Sequence, residues 1–138
     1  MSEYEFWLEE LELGEDILTA TEEVLAWGFP REVTNEEWLY ARWFMMGPRV
    51  IFWIETIPGF PEDVAIHGAT APSVRGHWPV ERWFRHVLTI SEQMGARRIR
   101  SASEGEIPDF MAALGFDEDP VIGQVFDLRQ TPKYGRRD

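Results

Sequence analysis

The sequence predicts an α/β domain, α+β in the detail of its order, built on a mixed and mostly antiparallel sheet with helices on both faces. Three observations carry that expectation. Short β-prone runs and amphipathic stretches follow one another in the order β-α-α-β-β-α-β-α-β, and such a series is satisfied by a sheet covered with helices. The strand "VAIHGATA" is joined to the strand "RRIRSAS" through a helical crossover, a central strand-helix-strand unit whose length makes its two strands a parallel pair. Finally, 44% of the 138 residues are hydrophobic and 14% aromatic, enough for one packed core in a chain too short for a second. Residues 1–130 are therefore expected to form a single domain, followed by a short polar tail over 131–138, "TPKYGRRD".

Each element has its own signal. In "YEFWLEEL", residues 4–11, Tyr4, Phe6 and Leu8 alternate with Glu5, Trp7 and Glu9, as in a half-exposed strand. "EDILTATEEVLAW" sets Ile17, Thr21, Val24 and Leu25 at helical spacing, and Gly28 and Pro30 end it. "TNEEWLYARWFMMGP" opens with Thr34 and Glu37 at the spacing of a capping box and is expected to stay helical up to Gly47-Pro48. As a helix it would carry Trp38, Leu39, Tyr40, Trp43, Phe44, Met45 and Met46 on more than one face. Part of the aromatic segment 38–46 should then meet a substrate or a protein partner.

"RVIFWIET" is a continuous β-prone run, as in a strand covered on both faces. The turn "IPGFPED" leads into "VAIHGATA". Pro79 suits a first helical turn, where its missing N–H has no partner to lose. Val80, Trp83, Phe84, Val87, Ile90 and Met94 then mark one helical face, closed by Gly95. A helix over roughly Pro108 to Leu114, ended by Gly115, and the strand "VIGQVFDL" complete the order.

Composition removes several function classes. With 25 acidic against 13 basic residues, the net charge of −12 argues against a nucleic-acid-binding face. A DNA mimic would need ordered rows of carboxylates, whereas these are scattered through amphipathic elements. No apolar run approaches the length of a membrane span, and the acidic "MSEYEFWLEELEL" is unlike a signal peptide, so a cytoplasmic protein is expected. The chain has no Cys, which excludes disulfides, thiolate metal sites and a cysteine nucleophile. His67, His77 and His86 lack a metal-ligand spacing, so no metal is expected. No serine lies in a nucleophile elbow. Arg75, Arg82, Arg85, Arg97, Arg98 and Arg100 concentrate the basic charge, either in salt bridges to the acidic surfaces or around a local phosphate pocket.

Two junctions go further. In "ATAPSVRGHW", residues 69–78, a strand ends in an Arg-Gly loop ahead of the central helix. In "GARRIRSAS…IPDFMAALGF" the next strand leads to a helix ending in Leu114-Gly115-Phe116. Together with the element order, these residues resemble the GNAT N-acetyltransferase superfamily over about residues 63–128. The Arg-Gly-x-Trp form, with "GQVFDL" closing the fold, looks most like the GNAT-like proteins of tailed bacteriophages, some of which are virion or head-assembly components.

The resemblance implies an N-acyltransferase that moves an acetyl group from acetyl-CoA to an amine acceptor. It implies a cofactor-binding set of Ala69, Thr70, Val74, Arg75, Gly76, His77 and Trp78. In such a loop, backbone N–H groups and the helix start hold the CoA pyrophosphate, since an N-terminal helix end favours anions. Arg75 would add a phosphate-shaped fork of donors, and Gly76 would let the backbone approach the ligand. Ala69 and Thr70 lie on the strand that would run beside the pantetheine arm. By location, Glu55 on the apolar strand and His67 on the strand before the loop are the candidate catalytic bases. Their plain alternatives are a solvated strand end for Glu55 and a hydrogen-bonded structural histidine for His67.

The chain also departs from the family pattern. Trp78 stands where a Gly or Ala is usual, and Pro79 removes a donor. Met111 replaces the tyrosine that serves many members as general acid, and Glu104 stands where an Asn is common. A non-catalytic assembly protein of a phage particle on the same fold is the second expectation.

Overall fold

The computed structural model describes residues 7–101 and 109–129. The elements are β1 (Leu8–Leu11), α1 (Glu15–Ala26), α2 (Asn35–Tyr40), β2 (Ala41–Met46), β3 (Val50–Ile57), β4 (Phe60–Thr70), α3 (Val80–Gln93), β5 (Arg98–Ser101), α4 (Asp109–Leu114), β6 (Asp117–Asp119) and β7 (Gly123–Asp127). Seven strands form a sheet in the order β1-β2-β3-β4-β5-β7-β6. The strand-helix-strand unit supplies the parallel pair, with Asp63 opposite Arg98 and Ile66 opposite Ser101. β1–β2, β2–β3, β5–β7 and β6–β7 all run antiparallel. The predicted fold class is the one observed.

The strand after the turn "IPGFPED" begins early, at Phe60 within that turn, so only Pro58 and Gly59 separate β3 from β4. Two further elements differ from the sequence expectation. The helix expected over 34–46 stops at Tyr40, and Ala41–Met46 is a strand paired to both β1 and β3. "RWFMM" is rich in residues that suit a pleated surface, and pairing on two sides outweighs its helical spacing. Part of the aromatic surplus is thereby absorbed. Trp43, Phe44 and Met46 are buried, while Leu39 and Tyr40 remain 65% and 61% exposed. The other difference is β6, whose "DED" carries no apolar pattern. It is a strand because it pairs with β7, and Asp119 Oδ1 shapes the turn by accepting the N–H groups of Val121 (2.8 Å) and Ile122 (3.1 Å). The last strand accordingly begins at Gly123 rather than Val121. Residues 4–6 of the expected first strand, and Pro108, lie outside the described residues.

The chain gathers into two compact units, one up to Glu55 together with His67–Pro79, the other made of Thr56–Ile66 and the chain from Val80 onward. In the first unit, α1 turns Ile17, Ala20 and Val24 onto Trp43, Ile51 and Trp53. Leu25, expected on this face, is 39% exposed, and Ala20 takes its place. Trp43 and Trp53 are cross-strand partners whose rings stack at 4.3 Å and 9°, a contact worth about 0.5–1.5 kcal/mol beyond the area it buries.

In the second unit, α3 buries Trp83, Phe84, Val87, Leu88 and Ile90. Phe84 meets Phe116 and Phe126 with ring centroids 5.7 and 5.0 Å away. Asp63 on β4 is buried and takes forked hydrogen bonds from Arg98 and Arg100, all between 2.7 and 2.9 Å. Burial opposes its ionisation most, but the two guanidinium groups outweigh that and hold its carboxyl below the ordinary value. Arg98 and Arg100 thus form salt bridges, but to the buried Asp63 rather than to the acidic surfaces the sequence suggested.

Ser91 is fully buried on α3, and its Oγ has no hydrogen-bond partner among the described residues. An orphaned hydroxyl pays its desolvation cost without return, and alanine is the better helix former. Ser91→Ala is therefore expected to leave stability unchanged or raise it by about 1 kcal/mol, read as a shift in the urea unfolding midpoint. A loss of stability would show that the hydroxyl is in fact satisfied.

Candidate functional site

The site grows from one face of the sheet in the first unit. Period-two alternation along β3 places Glu55 on the same face as Ile51 and Trp53. On β4, His67 stacks over the Trp53 indole, with ring centroids 5.5 Å apart and planes at 17°. Gly68 sets how closely β4 approaches. A Cβ there would lie 2.9 Å from the Ile51 carbonyl oxygen and 3.1 Å from Phe52 Cβ. Gly68→Ala is expected to destabilise the fold by about 1–3 kcal/mol by forcing that contact apart, measurable by denaturant unfolding. Unchanged stability would mean that the strands yield.

The third contributor is α2. Its capping box forms as the sequence predicts, with Thr34 Oγ1 accepting the Glu37 N–H at 3.2 Å and Glu37 Oε1 accepting the Thr34 N–H at 3.0 Å. Yet Glu37 is only 2% exposed. Arg31 Nη1 donates to Oε1 at 2.6 Å, Arg31 Nη2 to Oε2 at 3.2 Å, and Trp53 Nε1 to Oε2 at 2.5 Å. Trp43 Nε1 donates to the Glu37 backbone carbonyl at 2.9 Å. Burial is the largest single influence on this carboxyl and opposes its charge. The Arg31 fork, the Thr34 N–H, the Trp53 indole and, least of all, His67 together overcome it and bring the pKa from 4.5 to about 2.

These elements bring the two candidate bases together. His67 Nε2 is 3.2 Å from Glu55 Oε1 and 3.7 Å from Glu37 Oε2, while Nδ1 is 3.4 Å from Arg31 Nη2. The side chain of His67 is 5% exposed and that of Glu55 20%, so Glu55 is the member of the pair that reaches solvent. Glu37, Arg31 and Trp53 belong to the cluster and were not anticipated. The sequence marks Glu37 only as a capping residue, and nothing local to Arg31 or Trp53 marks them as its partners.

Glu37, Glu55 and His67 each offer a ligand atom within 4.8 Å of the others, the proximity a metal ion would need. The chemistry of the set is less suitable. Glu37 already accepts four hydrogen bonds, the full capacity of a carboxylate, and the Arg31 cation occupies the same cluster. Glu55 and His67 alone are too few for a closed site. The arrangement suits the handling of a proton.

The expected cofactor-binding residues lie on the segment that follows His67. Ala69 packs against the Trp43–Trp53 core, and Thr70 is half-buried. Pro72–Val74 forms a tight 3₁₀ turn, with the Val74 side chain completely buried. The N–H groups of Val74, Arg75 and His77 bond to the carbonyls of Ala71, Pro72 and Val74. Among the described residues the amide of Gly76, at φ 80°, makes no such bond. The exposed Arg75 donates through Nη2 to the Trp27 carbonyl at the end of α1, where a cation complements the helix dipole. His77 is exposed and Trp78 half-buried. The loop thus offers a glycine at positive φ and an exposed arginine, with three of its amides committed to its own turn. Met111 is 5% exposed, and Glu104 lies outside the described residues.

Strand order and the single parallel pair among the described pairings define a chain with the fold of the GNAT acetyltransferases. A protein from Desulfovibrio desulfuricans, assigned to the acetyltransferases of that family, superposes with a TM-score of 0.66 at 10% identity, covering 89% of this chain and 99% of its own. N-acetylglutamate synthase from Neisseria gonorrhoeae, solved with coenzyme A and L-arginine, gives 0.66 at 14% identity over 93% of this chain and 34% of its own. This chain therefore spans about a third of that enzyme. An assigned acetyltransferase from Exiguobacterium sp. 255-15 gives 0.59 at 14% identity over 89% of this chain and 93% of its own. No family model matches the sequence, and no curated protein matches it. At these identities the likeness is one of fold. No helix among the described residues is long and apolar enough to cross a membrane.

Proposed function

We propose that this chain is an acyl-CoA-dependent N-acyltransferase in which the Glu55–His67 pair takes the proton from an amine acceptor. The observation that carries the reading is the 3.2 Å contact between Glu55 and His67, set on a fold shared with acetyltransferases. Bound acyl-CoA would supply an activated acyl group, whose carbon–sulfur bond breaks as the carbon–nitrogen bond forms, releasing the CoA thiol. The chain's own residues handle what remains. An acceptor ammonium delivers one proton to the pair, which frees the nitrogen lone pair for attack. The nitrogen's surplus proton ends on the departing sulfur. The Arg75-Gly76 loop supports anion binding through the Gly76 amide and the Arg75 donors not used on Trp27. Trp53 and Trp43 fix the imidazole plane, so that little reorganisation is needed at the moment of transfer.

Calorimetric titration with acetyl-CoA and with CoA tests the reading, followed by thiol-release assays over a panel of amines. Saturable micromolar binding and amine-dependent thiol release are expected. No heat and no thermal shift at millimolar ligand would overturn the proposal. The exposed Leu39 and Tyr40 would then be the place to look for an assembly role, the second expectation of the sequence.

A further inference from the structure

The two nitrogens of His67 face opposite chemistries. Nε2 has carboxylate oxygens at 3.2 Å from Glu55 and 3.7 Å from Glu37. Nδ1 faces Arg31 Nη2 at 3.4 Å, and a guanidinium can only donate. A proton on Nδ1 would point at that cation, whereas a proton on Nε2 points at Glu55 Oε1, with the negative charge of Glu37 nearby. Arg31 is itself held in place, since Glu37 grips it at 2.6 and 3.2 Å while being locked by Thr34 and Trp53.

We infer that Arg31, clamped by Glu37, holds His67 as the neutral tautomer protonated at Nε2, so that His67 donates to Glu55 and the proton-accepting atom of the pair is the second carboxylate oxygen of Glu55. Both nitrogens of such an imidazole are spoken for, Nδ1 by Arg31 and the Nε2 proton by Glu55 Oε1. Among the described residues Glu55 Oε2 has no partner, and its side chain is the more exposed of the two. Arg31 and Glu37 act through His67 and are positioning residues. His67 steadies Glu55 and disperses its charge, and Glu55 receives the acceptor's proton. The tautomer stands on geometry alone, whereas the role of Glu55 rests on the acyltransferase reading.

The experiment is a long-range ¹H–¹⁵N correlation spectrum of the full chain at neutral pH. It contains three histidines, and His67→Gln assigns the signal in question. Wild type is expected to show a pyridine-like Nδ1 and a pyrrole-like Nε2 for His67. Arg31→Lys, which still donates, should keep that pattern, and Arg31→Met should lose it to a mixture containing the Nδ1–H form. A wild-type His67 that is doubly protonated, or protonated at Nδ1, overturns the inference without any variant having to fold. So does an unchanged tautomer in a folded Arg31→Met.

Where acyl transfer is measured, His67→Gln retains a donor toward Glu55 and should lower kcat by about tenfold while keeping the acid limb of its pH profile. Loss of that limb would make His67 itself the base. Absence of any acyl transfer would sink the proposed function and leave the tautomer result standing.

Discussion

Glu37→Ala is expected to lower the folding free energy by about 3 kcal/mol, the low end for a buried pair, because the buried carboxylate is lost while the half-buried Arg31 can still reach water. The cost arises from several groups at once. Arg31 loses both of its bonds to the carboxylate, the buried Trp53 Nε1 loses its acceptor, and the Thr34 N–H loses its half of the capping box. Urea unfolding near neutral pH measures it, and a loss below about 1 kcal/mol, the ordinary size for an exposed pair, would mean that the cluster is not as dry as it looks.

The same residue predicts a pH dependence whose sign is fixed. The folded carboxyl has its pKa lowered from 4.5 to about 2, so the folded state favours the ionised form. That stabilisation is fully present above pH 4.5 and is lost as the pH falls toward about 2, where the native carboxylate also takes a proton. Glu37→Gln has no charge to lose, so its acid unfolding should show a shallower decline across that window. A decline parallel to wild type would assign the acid sensitivity to other carboxylates, with Asp63 the first to test.

If the proposed acyl transfer is observed, Glu55→Gln is expected to reduce it by about 10²–10⁴-fold, the usual contribution of a positioned general base. The substitution is nearly isosteric and keeps a carbonyl oxygen for His67 to donate to, so the fold and acetyl-CoA binding should survive. The assay must therefore report kcat alongside a binding constant. Retained kcat would remove Glu55 from the chemistry and return it to the solvated strand end that its sequence position also allows. Equal loss of binding and turnover would instead point to a disturbed cluster.

These two residues also show why part of the site could be read from the sequence and part could not. Glu55 closes a run of apolar strand residues and His67 interrupts another, so each is conspicuous by its neighbours. Period two fixes their faces, and the crossover unit fixes the direction of β4 relative to β5. Glu37 is invisible by the same logic. A glutamate three residues after a threonine is an ordinary helix start, and its capping box forms as predicted. That its carboxylate is buried against Trp53, sixteen residues away, depends on which strand lies beneath α2.

The segment 41–46 makes the same point from the other direction. Its residues continue the helical reading of the capped segment, and they are a strand because β1 and β3 supply hydrogen-bond partners on both sides. β6 is the extreme case, three acidic residues made a strand by β7 alone.

By itself, then, the sequence determined the fold class, the parallel crossover and the capped start of α2, and it singled out Glu55 and His67, which the fold brings within 3.2 Å of one another. Each of these is written in spacing over a few residues or in chain length, quantities that local sterics and hydrogen bonding decide. The tertiary structure alone decided the partner of each buried polar group. It converted a capping glutamate into the ionised anchor of Arg31, set that cation against one nitrogen of His67, and left the other nitrogen to Glu55. A buried charge must find its compensation wherever the packed chain provides it, and that place is set by contacts between residues far apart in sequence.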